Sequence, residues 1–236
     1  MGNFDKKLST FYDVFINQEA YKEVLTGLKN TMTIAILGLI IGIFIGVIIA
    51  TIRVLPKYKT LPKVLDGFCS LYVGLFRGTP MVVQLLVFYY VLLPIIGVKM
   101  SSVLVATCVF GLNSGAYISD MMRAGILSVD PGQMEGARSV GLSYSSAMMK
   151  IVIPQAVKNI LPTLGNEFIA LVKETSVVSF VGAMDLYVAF NNIGSNSYEF
   201  MVPYLAMAII YIVIVCIITL GIKLMERRLR RSDRSK

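Results

Sequence analysis

No charged residue interrupts the chain between Thr31 and Ile52, and Lys29 and Arg53 stand on either side of that run. About 20 apolar residues in helical conformation cross the hydrocarbon core of a bilayer, so the run predicts a first transmembrane helix over 31–52. It follows a mixed-charge N-terminus and is too long for the apolar core of a cleaved leader, so it is read as a retained helix. A second apolar region, 61–98, is too long for one simple span and carries Arg77-Gly78-Thr79-Pro80 in its interior. The pattern predicts a short helix from Leu61 to about Phe76, a break at 77–80, and a main span from Met81 to Val98. Such a break is tolerated at membrane depth only where protein or a water-filled cavity satisfies the freed backbone groups. Further apolar runs predict spans over 101–127, 157–181 and 201–223. The expected fold class is all-α integral membrane, with five transmembrane helices in a single transmembrane domain covering 1–236.

Composition agrees with that pattern. Hydrophobic residues make up 56% of the chain and charged residues 15%, and the mean hydropathy is +0.73. Soluble domains carry about a quarter charged residues, so the deficit points to lipid as the main environment. A net charge of +8 would suggest nucleic acid in a soluble protein. Here the basic residues lie between apolar blocks and in the tail, so no nucleic-acid partner is expected and the charges are read as topology signals. With the N-terminus outside and the C-terminus inside, the inner segments hold fifteen lysines and arginines: Arg53, Lys57, Lys59 and Lys63, then Arg123, Arg138, Lys150 and Lys158, then Lys223, Arg227, Arg228, Arg230, Arg231, Arg234 and Lys236. The outer segments hold five, Lys6, Lys7, Lys22, Lys29 and Lys99. Cytoplasmic loops carry the excess of basic residues, which fixes that orientation. The tail is read as a stop-transfer anchor against membrane lipid.

Several chemistries are excluded. The chain has no histidine, which removes Ser-His-Asp and Cys-His catalysis and histidine-ligated metals. Cys69, Cys108 and Cys216 are widely spaced and lie in or beside apolar runs, so they are read as packing residues. No Gly-x-x-x-x-Gly-Lys-[Ser/Thr] loop is present to cradle ATP phosphates. Energy for any uphill transport must come from another polypeptide.

Polar residues at membrane depth are costly, so they are the candidates for function. Asn113, Tyr117 and Asp120 share one helix face by their i, i+4, i+7 spacing. Asp120 is expected to pair with Arg123 at the inner boundary. Arg77 is read either as an interface anchor or as a partner for Glu174. In the fourth span Asn166, Glu167, Lys173 and Glu174 interrupt an apolar run, with Glu167 near its middle and no basic residue evident on its own face.

Between the third and fourth spans lies a polar inner stretch that opens with the turn signal Val129-Asp130-Pro131-Gly132. It continues as short helices separated at Gly141. It contains Glu135-Gly136-Ala137, three residues, Gly141, nine residues, then Ile151-Val152-Ile153-Pro154. This resembles the EAA loop of bacterial ABC importer permeases: Glu-Ala-Ala, three residues, Gly, nine residues, Ile-x-Leu-Pro. Both gaps match, and the departures are Gly136 for Ala and Ile153 for Leu. Phe76-Arg77-Gly78-Thr79-Pro80 followed by Gln84, Asn113-Ser114-x-Ala116-Tyr117, and Lys173-x-Thr175-Ser176 resemble the polar amino acid (histidine, glutamine, arginine) branch. Together the matches spread over about residues 25–225.

The resemblance implies that 128–154 forms cytoplasmic coupling helices docking on an ABC ATP-binding subunit through Glu135, Gly136, Ala137, Gly141, Ile151 and Pro154. It implies a second permease chain, identical or paralogous, and an extracytoplasmic amino-acid-binding protein. ATP and magnesium would be used by the partner ATPase, with no cofactor in this chain and no bond chemistry of its own. On polarity, depth and resemblance together, the substrate-binding candidates are Thr79, Gln84, Asn113, Ser114, Tyr117, Glu167, Glu174 and Thr175. Glu167 is the expected reader of a cationic side chain, with glutamine as a hydrogen-bonded alternative. The expected setting is a bacterial cytoplasmic membrane. The rivals are an ion-coupled secondary amino acid transporter using Glu167 or Asp120, and a membrane-embedded enzyme.

Overall fold

The computed structural model describes residues 3–54 and 60–234, with the backbone alone at Asn3 and over 229–234. Lys57, Lys59 and Lys236, and the side chains of Arg230, Arg231 and Arg234, lie outside the described residues. All regular elements within them are helical. The helices are α1 (Asn3–Tyr12), α2 (Tyr21–Val54), α3 (Thr60–Gly78), α4 (Met81–Val87), α5 (Leu93–Ile96), α6 (Ser102–Leu127), α7 (Pro131–Ser139), α8 (Tyr144–Ala147), α9 (Ile153–Glu174), α10 (Leu186–Ser197) and α11 (Met201–Arg234). Wider π turns follow α1, α4 and α8, and a 3-10 turn, Thr175–Val181, follows α9.

Three of these are long and apolar enough to cross a membrane: α2, α6, and α11 over Met201–Arg228. The broken pair Thr60–Gly78 with Met81–Ile96 makes a fourth if counted as one span. The break falls at Thr79 and Pro80, where the sequence places it, and Pro80 is extended (φ −64°, ψ 141°) ahead of α4. The remaining predicted crossing lies in α9, where Asn159, Asn166, Glu167, Lys173 and Glu174 dilute the apolar residues.

Two helices were not foreseen. The N-terminal segment, read only as a mixed-charge lead-in, forms α1, and the stretch between the fourth and fifth predicted spans contains α10. α2 also starts ten residues before the apolar run does.

The chain divides into two compact units. The first gathers the described parts of Met1–Gly38, Pro80–Phe110 and Ile169–Ile218. Its core holds Val14, Val24, Leu186, Ala189, Phe190 and Ile193, all buried, with Phe11 and Phe15 packed against them. Asp185, fully buried, caps α10 by accepting a 2.9 Å hydrogen bond from the Val188 amide. An Asx cap of this kind satisfies one of the orphan donors at a helix N-terminus. Asn30 of α2 donates to the Met184 carbonyl at 2.8 Å, which ties α2 to the entry of α10.

The second unit gathers the described parts of Leu39–Thr79, Gly111–Phe168 and Thr219–Lys236. Its central contact is α2 against α6. A β-carbon added to Gly42 would lie 2.9 Å from Ser114 Cβ, and one on Gly46 2.6 Å from Ile118 Cγ2. One on Gly115 would lie 2.8 Å from Ile45 Cγ2. Small residues spaced by four on both helices let the backbones meet, the packing that membrane helices use where hydrophobicity gives no drive to associate. The polar stretch that begins at Ser128 belongs to this unit. Pro131 sits in the first turn of α7, and Asp130 caps that helix by accepting from the Gly132 amide at 2.7 Å. Gly141, at φ +89°, turns the chain out of α7, and Ser143 caps α8. Helix then continues through the π turn Met148–Val152 into α9.

Candidate functional site

The close approach of α2 and α6 in the second unit presents a polar face of α6, and the neighbouring helices converge on it. Ser114 is fully buried, and its Oγ donates a 2.8 Å hydrogen bond to Glu167 Oε1, which α9 supplies. Glu167 is 9% exposed. Asn113, also buried, donates from Nδ2 to the Phe76 carbonyl at 3.2 Å. That carbonyl is among the last four of α3, which have no partner within the helix. Thr79 Oγ1 donates to the next of these, the Leu75 carbonyl, at 2.8 Å. Tyr72 OH donates in turn to the Leu112 carbonyl. The break after α3 is thus stitched by hydroxyl and amide side chains, two of which the sequence had singled out.

About two turns along α6, Asp120 accepts from two guanidinium groups. Arg53 Nη1 of α2 lies 2.6 Å from Oδ1, and Arg77 at the end of α3 pairs with Oδ2. Arg77 also lies over the Tyr117 ring, 5.2 Å from its centroid, within cation–π range. The expectation that Asp120 pairs with Arg123 is therefore corrected. On a helix the i+3 side chain competes with any cation that packing brings to the same face, and Arg53 and Arg77 arrive from two other helices. Arg77 is likewise paired with Asp120. Arg53 was counted only as a topology charge; its position at the end of an uncharged run gave no sign of an acidic partner.

The structure thus brings Asn113, Ser114, Tyr117 and Glu167 together in one unit, beside Thr79. Gln84, Glu174 and Thr175 belong to the other unit. There Gln84 is buried in α4, Glu174 is exposed at the end of α9, and Thr175, fully buried, donates to the Val172 carbonyl at 2.8 Å.

On the polar stretch between α6 and α9, Ala137 and Ala147 are buried, whereas Glu135, Gly136 and Gly141 are exposed. Ile151 is half-buried and Pro154 exposed. Beneath them Val129, Val152, Ala156 and Ile160 form a small core with Met134 and Met148 against it. Gln155 donates to Gln133 Oε1 at 3.2 Å and Asn159 to Ser128 Oγ at 2.9 Å, fastening α7 and its lead-in to α9. The outer surface carries Val140, 80% exposed, and Met149, 66% exposed. These two stand among exposed polar and charged residues, Gln133, Glu135, Arg138 and Lys150, on a small knob.

Residues 42–231 match the family described as binding-protein-dependent transport system inner membrane component. The chain belongs to that family. Among curated relatives, this inner membrane component is 34% identical over 210 residues to the arginine transport system permease protein ArtQ of Bacillus subtilis, covering 89% of this chain and 94% of the relative. It is 38% identical over 167 residues to the putative glutamine transport system permease protein GlnP of Rickettsia conorii, covering 71% and 77%. Among solved structures, an amino acid ABC transporter crystallised with histidines matches with 36% identity and a TM-score of 0.82, over 92% of this chain and 98% of that one. An inward-facing methionine ABC transporter shares the fold at 18% identity and a TM-score of 0.74. The inner membrane component is thus a multi-pass protein of the cytoplasmic membrane with the ABC permease fold, and an ion-coupled carrier finds no support in these likenesses.

Proposed function

We propose that this chain is the permease subunit of an ATP-binding-cassette importer that carries a polar, in particular a cationic, L-amino acid across the cytoplasmic membrane. The observation that carries this reading is the buried Glu167 carboxylate of α9, held by Ser114 of α6. Buried carboxylates in membrane proteins mark substrate or ion paths by default. The relatives named for arginine and glutamine transport support the same substrate class. Asn113, Ser114, Tyr117 and Thr79 of the same unit would contribute to recognition of the amino acid's own carboxylate and amine.

In this reading α9 makes the fifth crossing, with its polar residues turned away from lipid, and the N-terminus lies outside with the C-terminus inside. The knob built by α7, the Gly141 turn and α8 then faces the cytoplasm, where its exposed Glu135, Gly136 and Gly141 dock on a separate ATPase subunit that uses ATP and magnesium. A second permease chain completes the pathway, and an extracytoplasmic binding protein delivers the substrate. Nucleotide and loaded binding protein would each favour one of two permease conformations, which is how they drive alternating access. This chain contributes the path and its selectivity.

The test is affinity purification of the tagged chain from native membranes in mild detergent, comparing wild type with a Glu135→Ala, Gly141→Arg double variant. Recovery of an ATPase with the wild type and its loss with a folded variant is the expected result. Equal recovery with both would remove the knob from the docking role, and no ATPase with either would remove the importer.

A further inference from the structure

We propose that α1 with its π turn is an interfacial anchor, laid into the headgroup layer of the membrane by the stripe Phe4, Leu8, Tyr12 and Ile16. Those four side chains follow one another at intervals of four along Asn3–Asn17 and are 50%, 48%, 61% and 42% exposed. Four-residue spacing puts them on one side of the helix. The adjoining side carries Val14, Phe11 and Phe15, which pack into the core of the first unit. The third side is polar and exposed, with Asp5, Lys6, Ser9, Thr10 and Asp13. One flank of the helix is therefore on protein, one is suited to water, and the third is apolar with no protein upon it.

What covers that third flank follows from where α1 is held. Two apolar helices of the same unit enter the membrane beside it. The chain leaves the π turn at Asn17 and begins α2 at Tyr21. Lys7 Nζ reaches Glu199 Oε2 at 2.9 Å and Met201 Sδ at 4.0 Å, and Met201 is the first residue of α11. The helix is thus pinned beside the first residue of α11 and just ahead of α2, whose apolar run begins at Thr31. Aromatic residues gather there: Phe15 and Tyr21 at one span, Phe200 and Tyr204 at the other, with ring centroids 6.3 and 5.6 Å apart. Aromatic belts mark the headgroup layer. Amphipathic helices at that depth bury their apolar face a few ångströms into the acyl boundary. The partner is therefore the lipid surface, whichever leaflet it belongs to.

The absence of tryptophan from the chain allows a direct test. Tyr12→Trp, Leu8→Trp and Ser9→Trp each place one indole in the full chain, reconstituted in phosphatidylcholine–phosphatidylglycerol nanodiscs. The expected result is blue-shifted emission for Tyr12→Trp and Leu8→Trp, with quenching by lipid brominated near the carbonyl end of the acyl chain and protection from acrylamide. Ser9→Trp, on the polar side, should show the reverse. Two outcomes overturn the proposal in variants that remain monodisperse and helical: both stripe indoles quenched by acrylamide like Ser9→Trp, which puts the stripe in water, or both shielded from acrylamide and brominated lipid alike, which puts protein upon it.

Discussion

Ser114 Oγ and Glu167 Oε1 are joined by a 2.8 Å hydrogen bond between two buried positions on different helices. Hydrogen bonds to a charged group contribute about 1.5–3 kcal/mol, more than neutral ones, and they fix the orientation of the carboxylate. If Glu167 reads the substrate's cationic side chain, Glu167→Gln should cut the preference for arginine over glutamine by roughly ten- to a hundredfold, that energy range in transport terms. Competition uptake into proteoliposomes holding the complete transporter measures it. Ser114→Ala should lower uptake while leaving the sign of the preference intact. An unaltered arginine-to-glutamine ratio in Glu167→Gln would remove the assignment.

The two arginines on Asp120 are not equivalent. Arg53 is 14% exposed and Arg77 is 47% exposed. Removing one partner of a buried pair costs about 3–5 kcal/mol, and exposed pairs contribute under about 1 kcal/mol. Asp120 is itself 30% exposed, so Asp120→Asn should destabilise by about 2–3 kcal/mol. Arg77→Gln should destabilise by less than about 1 kcal/mol. Thermal unfolding of the two variants in one detergent gives the comparison; an equal loss would mean that Arg53 is not the member held by Asp120.

Contact between α2 and α6 leaves no room for a side chain at Gly46. Gly46→Leu should cost at least about 1–3 kcal/mol, the usual price of overpacking. Gly67, in the interior of α3, has nothing within 4 Å of an added β-carbon. Gly67→Ala should be neutral or stabilising by up to about 1 kcal/mol, because alanine is the better helix former. Protease resistance in detergent distinguishes the pair, and equal resistance would argue against the tight crossing.

Acid should loosen the N-terminal helix. The hydrogen bond from Lys7 holds the Glu199 carboxyl below its ordinary value of 4.5. A depressed carboxylate stabilises the fold above its unfolded value, and that contribution disappears as the pH falls through the lowered one. Asp13 is lowered in the same sense by Asn17 and Gln18. Hydrogen exchange over residues 3–17, corrected for intrinsic rates, should therefore accelerate below about pH 4.5. Glu199→Gln should exchange faster at neutral pH and show a weaker acid response, retaining the part due to Asp13. A variant with wild-type protection at neutral pH would dissociate Glu199 from the anchoring of α1.

Much of this architecture is legible in the sequence. Uncharged runs located α2, α6 and α11, and Gly78-Thr79-Pro80 located the break, because lipid forbids charge and proline forbids continuous helix. Asp130 and Gly141 marked the start of α7 and the turn after it for equally local reasons. The polar members of α6 were legible as one face because helical spacing is local too. Their partners were not: Ser114 meeting Glu167, and Asp120 meeting Arg53 and Arg77, depend on which helices pack together. The glycines at 42 and 46 on α2, and at 111 and 115 on α6, were in view as a four-residue repeat, and they carried the clue to that packing. α1 and α10 escaped because short amphipathic helices lack both the length and the uniform hydropathy that announce a span.

An interrupted membrane helix is a hazard to the proton gradient. Bare carbonyls recruit water, and a file of water conducts protons. At the end of α3 the Leu75 and Phe76 carbonyls are already occupied by the Thr79 hydroxyl and the Asn113 amide. Neither of these two carbonyls is therefore left bare at the bend.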